Sequence, residues 1–237
     1  MEQLDFIARS LSNLLFGYPT ERPGGLVLSL LLGAMAVGVG FVLALPIGLA
    51  RASGRRWLRG PAALYIEVIR GLPLVLLLLM IHTLGSRALL GVNFTPVASA
   101  LIALTLYASA YQAEIVRAGL RAVPRTQVEA TQASGLGQLD ALRFVILPQA
   151  LRAMLPAFTG QAISLFKDTS IVLALGVGDL MTVGRTIGSA NNEQYFLTLY
   201  ATIGLLYFVV AYAISRAARR FERDVTVARM LWLTYQS

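Results

Sequence analysis

Charged side chains interrupt apolar stretches of the sequence, and these residues are the best suited to bind a charged solute. The longest interruption is Lys167, Asp168, Thr169 and Ser170, four polar residues in a row. Isolated charges are costly to bury, so these side chains should pair, face water or line a cavity. Polar backbone at a broken helix can hold a charged substrate group. The alternative is a buried pair that only shapes the helix.

Two further acid–base sets lie near the ends of apolar runs. Glu67 and Arg70 are three residues apart, and Glu114 and Arg117 repeat that spacing. Residues three apart share one face of a helix, so each set could form a pair. We expect these side chains either to snorkel to the membrane boundary or to form a polar ring at the inner mouth of a transport pathway.

Residues for enzyme chemistry are scarce. The sequence has one histidine, His82, and no cysteine. It has no Ser–His–Asp set and no cluster of metal ligands, and no Gly-x-x-x-x-Gly-Lys-Ser/Thr loop that would cradle nucleotide phosphates. We therefore expect a non-catalytic chain without a cofactor or metal of its own, in which His82 is a packed or surface side chain.

The elements that position these residues are predicted to be membrane-spanning helices. Hydrophobic residues make up 57% of the 237 residues and mean hydropathy is +0.68, whereas ordinary soluble domains are roughly 45–50% apolar. A span needs about 20 apolar residues. The sequence predicts an all-α membrane protein with five spans: 26–50, 62–84, 97–118, 151–181 and 195–214.

Three of these spans carry local signals. Ala36, Gly40, Ala44 and Gly48 recur every four residues in the first, which favours close helix contact. Pro73 predicts a bend in the second. As a straight helix the fourth would measure roughly 46 Å against a hydrocarbon core of about 30 Å, so we expect it to tilt or to break at 167–170.

Arginines indicate the orientation of the spans. The net charge of +8 comes from 19 arginines and one lysine against 12 acids. Arg51, Arg55, Arg56 and Arg59 crowd the first connection, which predicts a cytoplasmic loop, an N terminus outside the cell and a cytoplasmic C terminus. The arginines cluster between apolar runs, so no nucleic-acid partner is expected. Residues 86–96 and 179–194 are predicted to be outer loops.

The N-terminal residues precede the first span. Leu4, Ile7, Leu11 and Leu14 recur at helical spacing in 1–16, which predicts a helix along the membrane surface. A signal peptide is not expected, because acids come first and no small-residue cleavage site follows an apolar core. Residues 18–25 are predicted to form a turn.

The polar stretch 126–148 separates the third and fourth spans. Thr126 and Glu129 have the spacing of a capping box, which predicts a helix start there. Gly135 and its neighbour Gly137 predict its end. Leu139, Leu142, Val145 and Ile146 predict a second short helix with one apolar face, which Pro148 closes or bends.

The spacing of this stretch carries a family resemblance. Glu129-Ala130-Thr131 is followed after three residues by Gly135, and after nine more by Val145, one residue and Leu147-Pro148. This resembles the EAA motif of permease subunits of ABC importers, with Thr131 and Val145 as departures. The resemblance implies that the motif forms coupling helices in a cleft of a cytoplasmic ATPase. The implied coupling residues are Glu129, Ala130, Gly135, Leu147 and Pro148.

Further segments are similar to polar amino acid permeases, within which general L-amino-acid and glutamate/aspartate systems resemble the chain most. These segments are 69–74, 111–124, 146–156 and 166–170, and the resemblance covers about 24–221. It implies a type I ABC importer permease with an N-terminal helix and turn at 1–23, a transmembrane domain at 24–221 and a cytoplasmic tail at 222–237. The candidate pathway residues are Lys167, Asp168, Thr169, Ser170, Glu67, Arg70 and Glu114.

The resemblance also implies partners and a substrate class. The expected partners are a dimer of cytoplasmic ABC ATPases that binds ATP and Mg, a second permease chain, and a periplasmic or lipid-anchored binding protein. The expected location is a bacterial inner membrane, and the expected substrates are acidic or amide L-amino acids or a broad L-amino-acid range. Basic amino acids, an ion-coupled secondary transporter and a structural or assembly subunit are the alternatives.

Overall fold

The computed structural model describes residues 2–21, 23–83, 91, 94–191 and 194–235, and this part of the chain is helical without a β-strand. A π-helical segment, Ala141–Ile146, precedes α8, and 3₁₀ helices occupy Pro19–Glu21 and Thr169–Leu175. The α-helices are α1 Glu2–Phe16, α2 Gly25–Ala52, α3 Arg56–Gly71, α4 Leu74–Met80, α5 Pro96–Ala122, α6 Arg125–Ala133, α7 Gln138–Asp140, α8 Leu147–Asp168, α9 Leu180–Ala190 and α10 Phe196–Tyr235.

The predicted spans are present as helices long and apolar enough to cross a membrane. Four continuous ones are Gly25–Ala52, Pro96–Ala122, Ala141–Leu175 and Phe196–Arg220. The described residues contain a fifth if the pair α3 and Leu74–Thr83, whose axes meet at 104°, counts as one span. Pro73 precedes α4 at this corner. The prediction of a bend at Pro73 is therefore confirmed, and the bend is sharp enough to divide the span into two helices.

The most extensive contact between helices joins α2 to α5. All four members of the predicted small-residue stripe, Ala36 to Gly48, are buried in α2. A Cβ atom added to Gly48 would lie 2.6 Å from Cβ of Val116 and 2.7 Å from the carbonyl oxygen of Ala113. The predicted close contact is confirmed, because the two backbones approach to a distance that only glycine allows.

The fourth span changes its helix type where the polar residues interrupt it. α8 ends at Asp168, and the 3₁₀ helix that follows runs to Leu175 and ends at Gly176, whose φ is +67°. Thr169 is fully buried, and its hydroxyl donates to the carbonyl of Phe166 at 2.7 Å. At the predicted break, 167–170, the chain therefore changes helix type from α to 3₁₀, while the span stays continuous.

The prediction of an outer loop at 179–194 is wrong for most of its length, because Leu180–Ala190 forms α9. The helix buries Leu180, Val183 and Ile187 on one face, against Leu14 of α1 and Leu199 of α10. Packing therefore overrides the polar, glycine-containing composition. The other predicted outer loop, 86–96, lies largely outside the described residues, as does its Arg87.

The two ends of the chain are helical. α1 forms as predicted, with Leu14 fully buried and the ring of Phe6 stacked on Tyr195 at 4.4 Å between centroids. Its location along a membrane surface stays a prediction. α10 begins where the fifth span was predicted but continues for 40 residues, roughly 60 Å, or twice a hydrocarbon core of about 30 Å. The helix crosses the predicted boundary at 221/222 without interruption.

Asp179 anchors α9 and is fully buried. One carboxylate oxygen accepts hydrogen bonds from the backbone N–H and hydroxyl of Thr182, at 2.9 and 2.7 Å. The other accepts from the N–H of Met181 at 3.2 Å and from the hydroxyl of Tyr207 at 3.4 Å. Burial raises the pKa of the Asp179 carboxyl above its ordinary value, while these hydrogen bonds lower it in part.

Gly48→Ala should destabilise the protein by about 1–3 kcal/mol, because the new methyl group would overlap α5. Gly38→Ala in the same helix is the matched control, since a Cβ at Gly38 meets no atom within 4 Å. Both changes have the same effect on helix propensity, so their difference isolates the helix contact. The measurement is the thermal midpoint of the purified protein in detergent. Equal midpoints for the two variants would contradict the close α2–α5 contact.

Asp179→Asn should change the pH dependence of stability. A carboxyl with a raised pKa contributes stability that is fully present below its unfolded-state pKa of about 4 and is lost as the pH rises through the raised value. Asn keeps an oxygen that can cap α9 but cannot ionise. The midpoint of the variant relative to the wild type should therefore rise from about pH 4 to pH 7. Asp5→Asn, at an exposed carboxyl of α1, is the control, and a flat or falling difference for Asp179→Asn would refute the expectation.

Candidate functional site

A cavity of about 550 Å³ lies between α5 and α8, with Arg70 of α3 on its wall. The space stays open because most of the apolar positions that line it carry small side chains. The small lining residues are Ala118, Gly119, Ala122, Ala153, Ala157 and Gly160. Volumes of about 300–1,000 Å³ are typical of sites for small molecules.

Polar residues line the same cavity at helical spacing. α5 contributes Tyr107, Tyr111 and Glu114, and α8 contributes Gln161, Ser164 and Asp168. Steps of three and four residues keep each set on one face of its helix. Two regular helices thus hold hydroxyl, amide and carboxylate groups toward one space.

Arg70 is held over an aromatic ring. Its guanidinium carbon lies 4.9 Å from the ring centroid of Tyr111, which in turn lies 4.6 Å from the ring of Tyr107. This cation–π contact orients the guanidinium without neutralising its charge. Arg70 makes no ion pair with any residue that the structure describes.

Glu114, by contrast, is already paired. Its carboxylate accepts hydrogen bonds from Nε of Arg117 at 2.9 Å and from a terminal nitrogen of the same guanidinium. The predicted pairing across three residues of α5 is confirmed. Because Arg117 compensates its charge, Glu114 contributes a polar surface to the cavity rather than a free anion.

Asp168 is the anionic counterpart of Arg70. It is half-buried at the end of α8, and within the described ranges no side chain or backbone group forms a hydrogen bond or ion pair with its carboxylate. The cavity is therefore lined by one cation and one anion that lack an opposite charge in contact, Arg70 and Asp168. A solute that carries both charges could satisfy both.

The structure does not bring all candidate pathway residues into the cavity. Glu67 does not pair with Arg70; its carboxylate bonds to Arg51 of α2 at 3.1 Å and is 69% exposed. Lys167 is exposed, and none of Lys167, Thr169 and Ser170 lines the cavity. Arg70, Glu114 and Asp168 are the members that it does bring together.

One residue that supports the site without lining its cavity was singled out by no sequence signal. Gln112 is 1% exposed, and its amide nitrogen donates to the carbonyl of Val37 at 3.2 Å and to the side-chain oxygen of Gln161 at 3.3 Å. It thereby links α2 and α5 to the cavity wall of α8. Tyr107, Tyr111 and Gln161 could have been found from their helical spacing to Glu114 and Asp168.

The polar stretch between α5 and α8 forms the second candidate site. α6 ends at Ala133, and Gly135 follows with φ of +72°. The N–H of Gly135 donates to the carbonyl of Gln132, and the N–H of Leu136 donates to that of Thr131, both at 3.1 Å. These are the two bonds of a Schellman motif, so the predicted glycine terminus is confirmed.

The predicted start of α6 is wrong in detail. The helix begins at Arg125 directly after Pro124, and no side chain caps it. Thr126 and Glu129 thus lie within the helix and form no capping box. The φ of Pro124 is −59°, which suits the residue before a helix, and α6 begins two residues earlier than a capping box at Thr126 predicts.

The second predicted helix is short and continuous with the next span. After α7 the backbone forms the π-helical segment 141–146 and passes through Pro148 into α8, so the proline does not close the helix. Leu139 of the predicted apolar face is 81% exposed, and Phe144 is 64% exposed. Together with Leu136 these side chains form an apolar corner that projects from the chain.

The coupling candidates surround this corner. Glu129, Ala130, Gly135 and Pro148 are exposed, and Leu147 is half-buried. Exposed apolar side chains beside exposed polar backbone ends are typical of a surface that a protein partner covers.

Comparison with protein-family models matches residues 36–227 to the model described as binding-protein-dependent transport system inner membrane component. Among curated proteins, the "Probable glutamine ABC transporter permease protein GlnP" of Bacillus subtilis is 35% identical over 84% of this chain and 90% of its own length. The glutamate/aspartate import permease protein GltK of Escherichia coli is 34% identical over 84% of this chain and 91% of its own length.

A solved structure has the same fold. A chain in the crystal structure of an amino acid ABC transporter with histidines superposes with a TM-score of 0.79 at 33% sequence identity. The match covers 94% of this chain and 97% of the other. The similarity therefore extends over nearly the whole molecule, including both candidate sites.

Proposed function

The chain belongs to the family of binding-protein-dependent transport system inner membrane components, and from that membership we propose that it is the membrane-spanning subunit of an ATP-driven importer of polar L-amino acids. The observation that carries the proposal is the cavity between α5 and α8, in which Arg70 and Asp168 have no opposite charge in contact among the described residues.

A free amino acid fits the charges of this cavity. An arginine fork binds a carboxylate with two parallel hydrogen bonds, and the cation–π contact with Tyr111 restricts the orientation of that fork. The carboxylate of Asp168 can accept from an α-ammonium group. Tyr107, Gln161 and Ser164 then offer hydroxyl and amide groups to a polar side chain.

The relatives support this substrate class. The names of two of them specify glutamine and glutamate/aspartate, respectively. All of these share a zwitterionic backbone and a side chain with carboxylate or amide oxygens. We therefore propose glutamine, glutamate, asparagine and aspartate as the preferred substrates, with affinity set largely by a separate binding protein.

The distribution of arginine supports an orientation in a bacterial inner membrane. The α2–α3 corner, the end of α5 with the start of α6, and the end of the last span are rich in arginine, which favours the cytoplasmic side for all three. The N terminus then lies outside, where a periplasmic or lipid-anchored binding protein would dock. A second permease chain would complete the pathway.

In this arrangement the apolar corner beside Gly135 would contact a cytoplasmic ATPase. ATP and Mg would bind to that ATPase and not to this chain. Closure of an ATPase dimer would push on the segment 125–148. That segment is continuous with α8 through the π-helical turn, so its displacement would move the cavity wall that carries Gln161 and Asp168. The cavity would thereby open alternately to the two sides of the membrane.

Arg70→Gln and Asp168→Asn should each reduce uptake of labelled glutamine and glutamate by about 10- to 100-fold, because each removes a charged hydrogen-bond partner of the substrate. The measurement is uptake by the assembled complex, with its ATPase and binding protein, in proteoliposomes. Arg185→Gln and Asp5→Asn remove the same charges at exposed positions outside the cavity and should leave uptake unchanged. Normal uptake by both cavity variants, or uptake of arginine alone in the wild type, would refute the proposed site or substrate class.

Gly135→Val should uncouple ATP hydrolysis from uptake. A β-branched residue at φ of +72° costs roughly 1–3 kcal/mol and would distort the turn between α6 and α7. No atom lies within 4 Å of a Cβ at this position, so the effect arises from the backbone alone. Gly137→Val is the matched control, since Gly137 does not have a positive φ. The readout is the ratio of transported substrate to hydrolysed ATP, and an unchanged ratio with intact assembly would contradict the coupling role.

A further inference from the structure

The corner between α2 and α3 concentrates positive charge. Arg51 pairs with Glu67 across the corner at 3.1 Å. Arg55, Arg56 and Arg59 are exposed, and none of them forms an ion pair with a residue in the described part of the chain. Three positive charges thus remain uncompensated within five residues.

One face of α3 continues from this corner as an exposed apolar stripe. Trp57 is 69% exposed, Leu64 66% and Val68 49%, and Pro61 between them is also exposed. These four residues follow one another at steps of four, three and four, which places them on a single helix face. The opposite face packs against the bundle through Ala62, Ile66 and Ile69.

The dimensions of the stripe match one leaflet of a bilayer. Trp57 and Val68 are eleven residues apart, roughly 16 Å along a helix, and half of a hydrocarbon core of about 30 Å is similar. Tryptophan favours the boundary between hydrocarbon and headgroups. The three arginines lie at the Trp57 end, where the phosphates of that leaflet would be.

We propose that this surface of α3 is a binding site for an anionic phospholipid. The acyl chains lie along the stripe from Trp57 to Val68, and the headgroup phosphate binds among Arg55, Arg56 and Arg59. Charge complementarity selects an anionic headgroup, since a zwitterionic lipid would leave the three charges without net compensation. The inference is independent of what the cavity transports.

A second copy of the chain is a poorer occupant. Two-fold pairing of α3 with its own copy about an axis along the membrane normal would bring the two arginine clusters together at the same depth. Like charges at such an interface repel. The exposed acid of α3, Glu67, is at the other end of the stripe and is already paired with Arg51. The phospholipid satisfies both the charge and the apolar face.

Tryptophan fluorescence tests the proposal directly. The chain contains two tryptophans, so Trp232→Phe leaves Trp57 as the sole reporter. Phosphatidylglycerol with brominated acyl chains is titrated into the full-length protein in mixed micelles, with brominated phosphatidylcholine in parallel. We expect quenching of Trp57 at a much lower mole fraction of phosphatidylglycerol, and quenching that weakens as salt is added.

Substitution of the three arginines locates the headgroup. The triple variant R55Q/R56Q/R59Q should bind phosphatidylglycerol on the order of 100-fold more weakly, because each basic residue near an anionic surface strengthens binding roughly fivefold. R216Q/R219Q/R220Q removes three exposed arginines of α10 and should retain the affinity. If the α3 triple variant does not fold, the salt titration of the Trp232→Phe protein still tests the electrostatic contribution.

Three outcomes would overturn the site. Equal quenching by both lipids would show an unspecific apolar surface, and equal losses in both triple variants would show a general charge effect. Absence of quenching by either lipid would show that protein, such as a second copy of the chain, covers Trp57.

Discussion

The close approach of α2 and α5 is the contact on which the rest of the bundle depends. Lipid offers no hydrophobic drive for helix association, so van der Waals contact between small residues must hold the helices together. Gly40 and Gly48 let the backbone of α2 lie directly against Ala108 and Val116. The contact fixes the rotation of α5, and its other face, with Tyr107, Tyr111 and Glu114, is thereby directed toward α8.

An unpaired charge is costly in an apolar environment, so charged residues there favour ion pairs, and only those without a partner are available to bind a solute. Glu67 is satisfied by Arg51, and Glu114 by Arg117, so these residues stabilise the structure locally. Among the described residues, Arg70 and Asp168 have no such partner, and both line the cavity. Two opposite charges without partners raise the free energy of the empty protein. A bound zwitterion would pair with both of them and so lower the free energy of the complex.

The segment between α5 and α8 has the opposite character, since it is held by backbone geometry rather than by charge. Gly135 reverses the chain with a pair of backbone hydrogen bonds, and the residues after it expose Leu139 and Phe144. The direct passage from the π-helical segment into α8 makes a rigid connection to the cavity wall. Two sites that differ in chemistry are in this way joined by one continuous helical element.

The sequence alone predicted the apolar spans, the bend at Pro73, the departure from a regular α-helix near Asp168 and the turn at Gly135. Each of these follows from local chemistry: the length of an apolar run, the missing N–H of proline, the cost of a buried charge and the positive φ that glycine allows. Tertiary structure decided which residues meet. It placed Glu67 on Arg51 instead of Arg70, folded 180–190 into a helix against Leu14 and Leu199, and used Gln112 to link α2 to Gln161. Partners of this kind are far apart in sequence, and their choice depends on helix rotations that only packing of the whole bundle fixes.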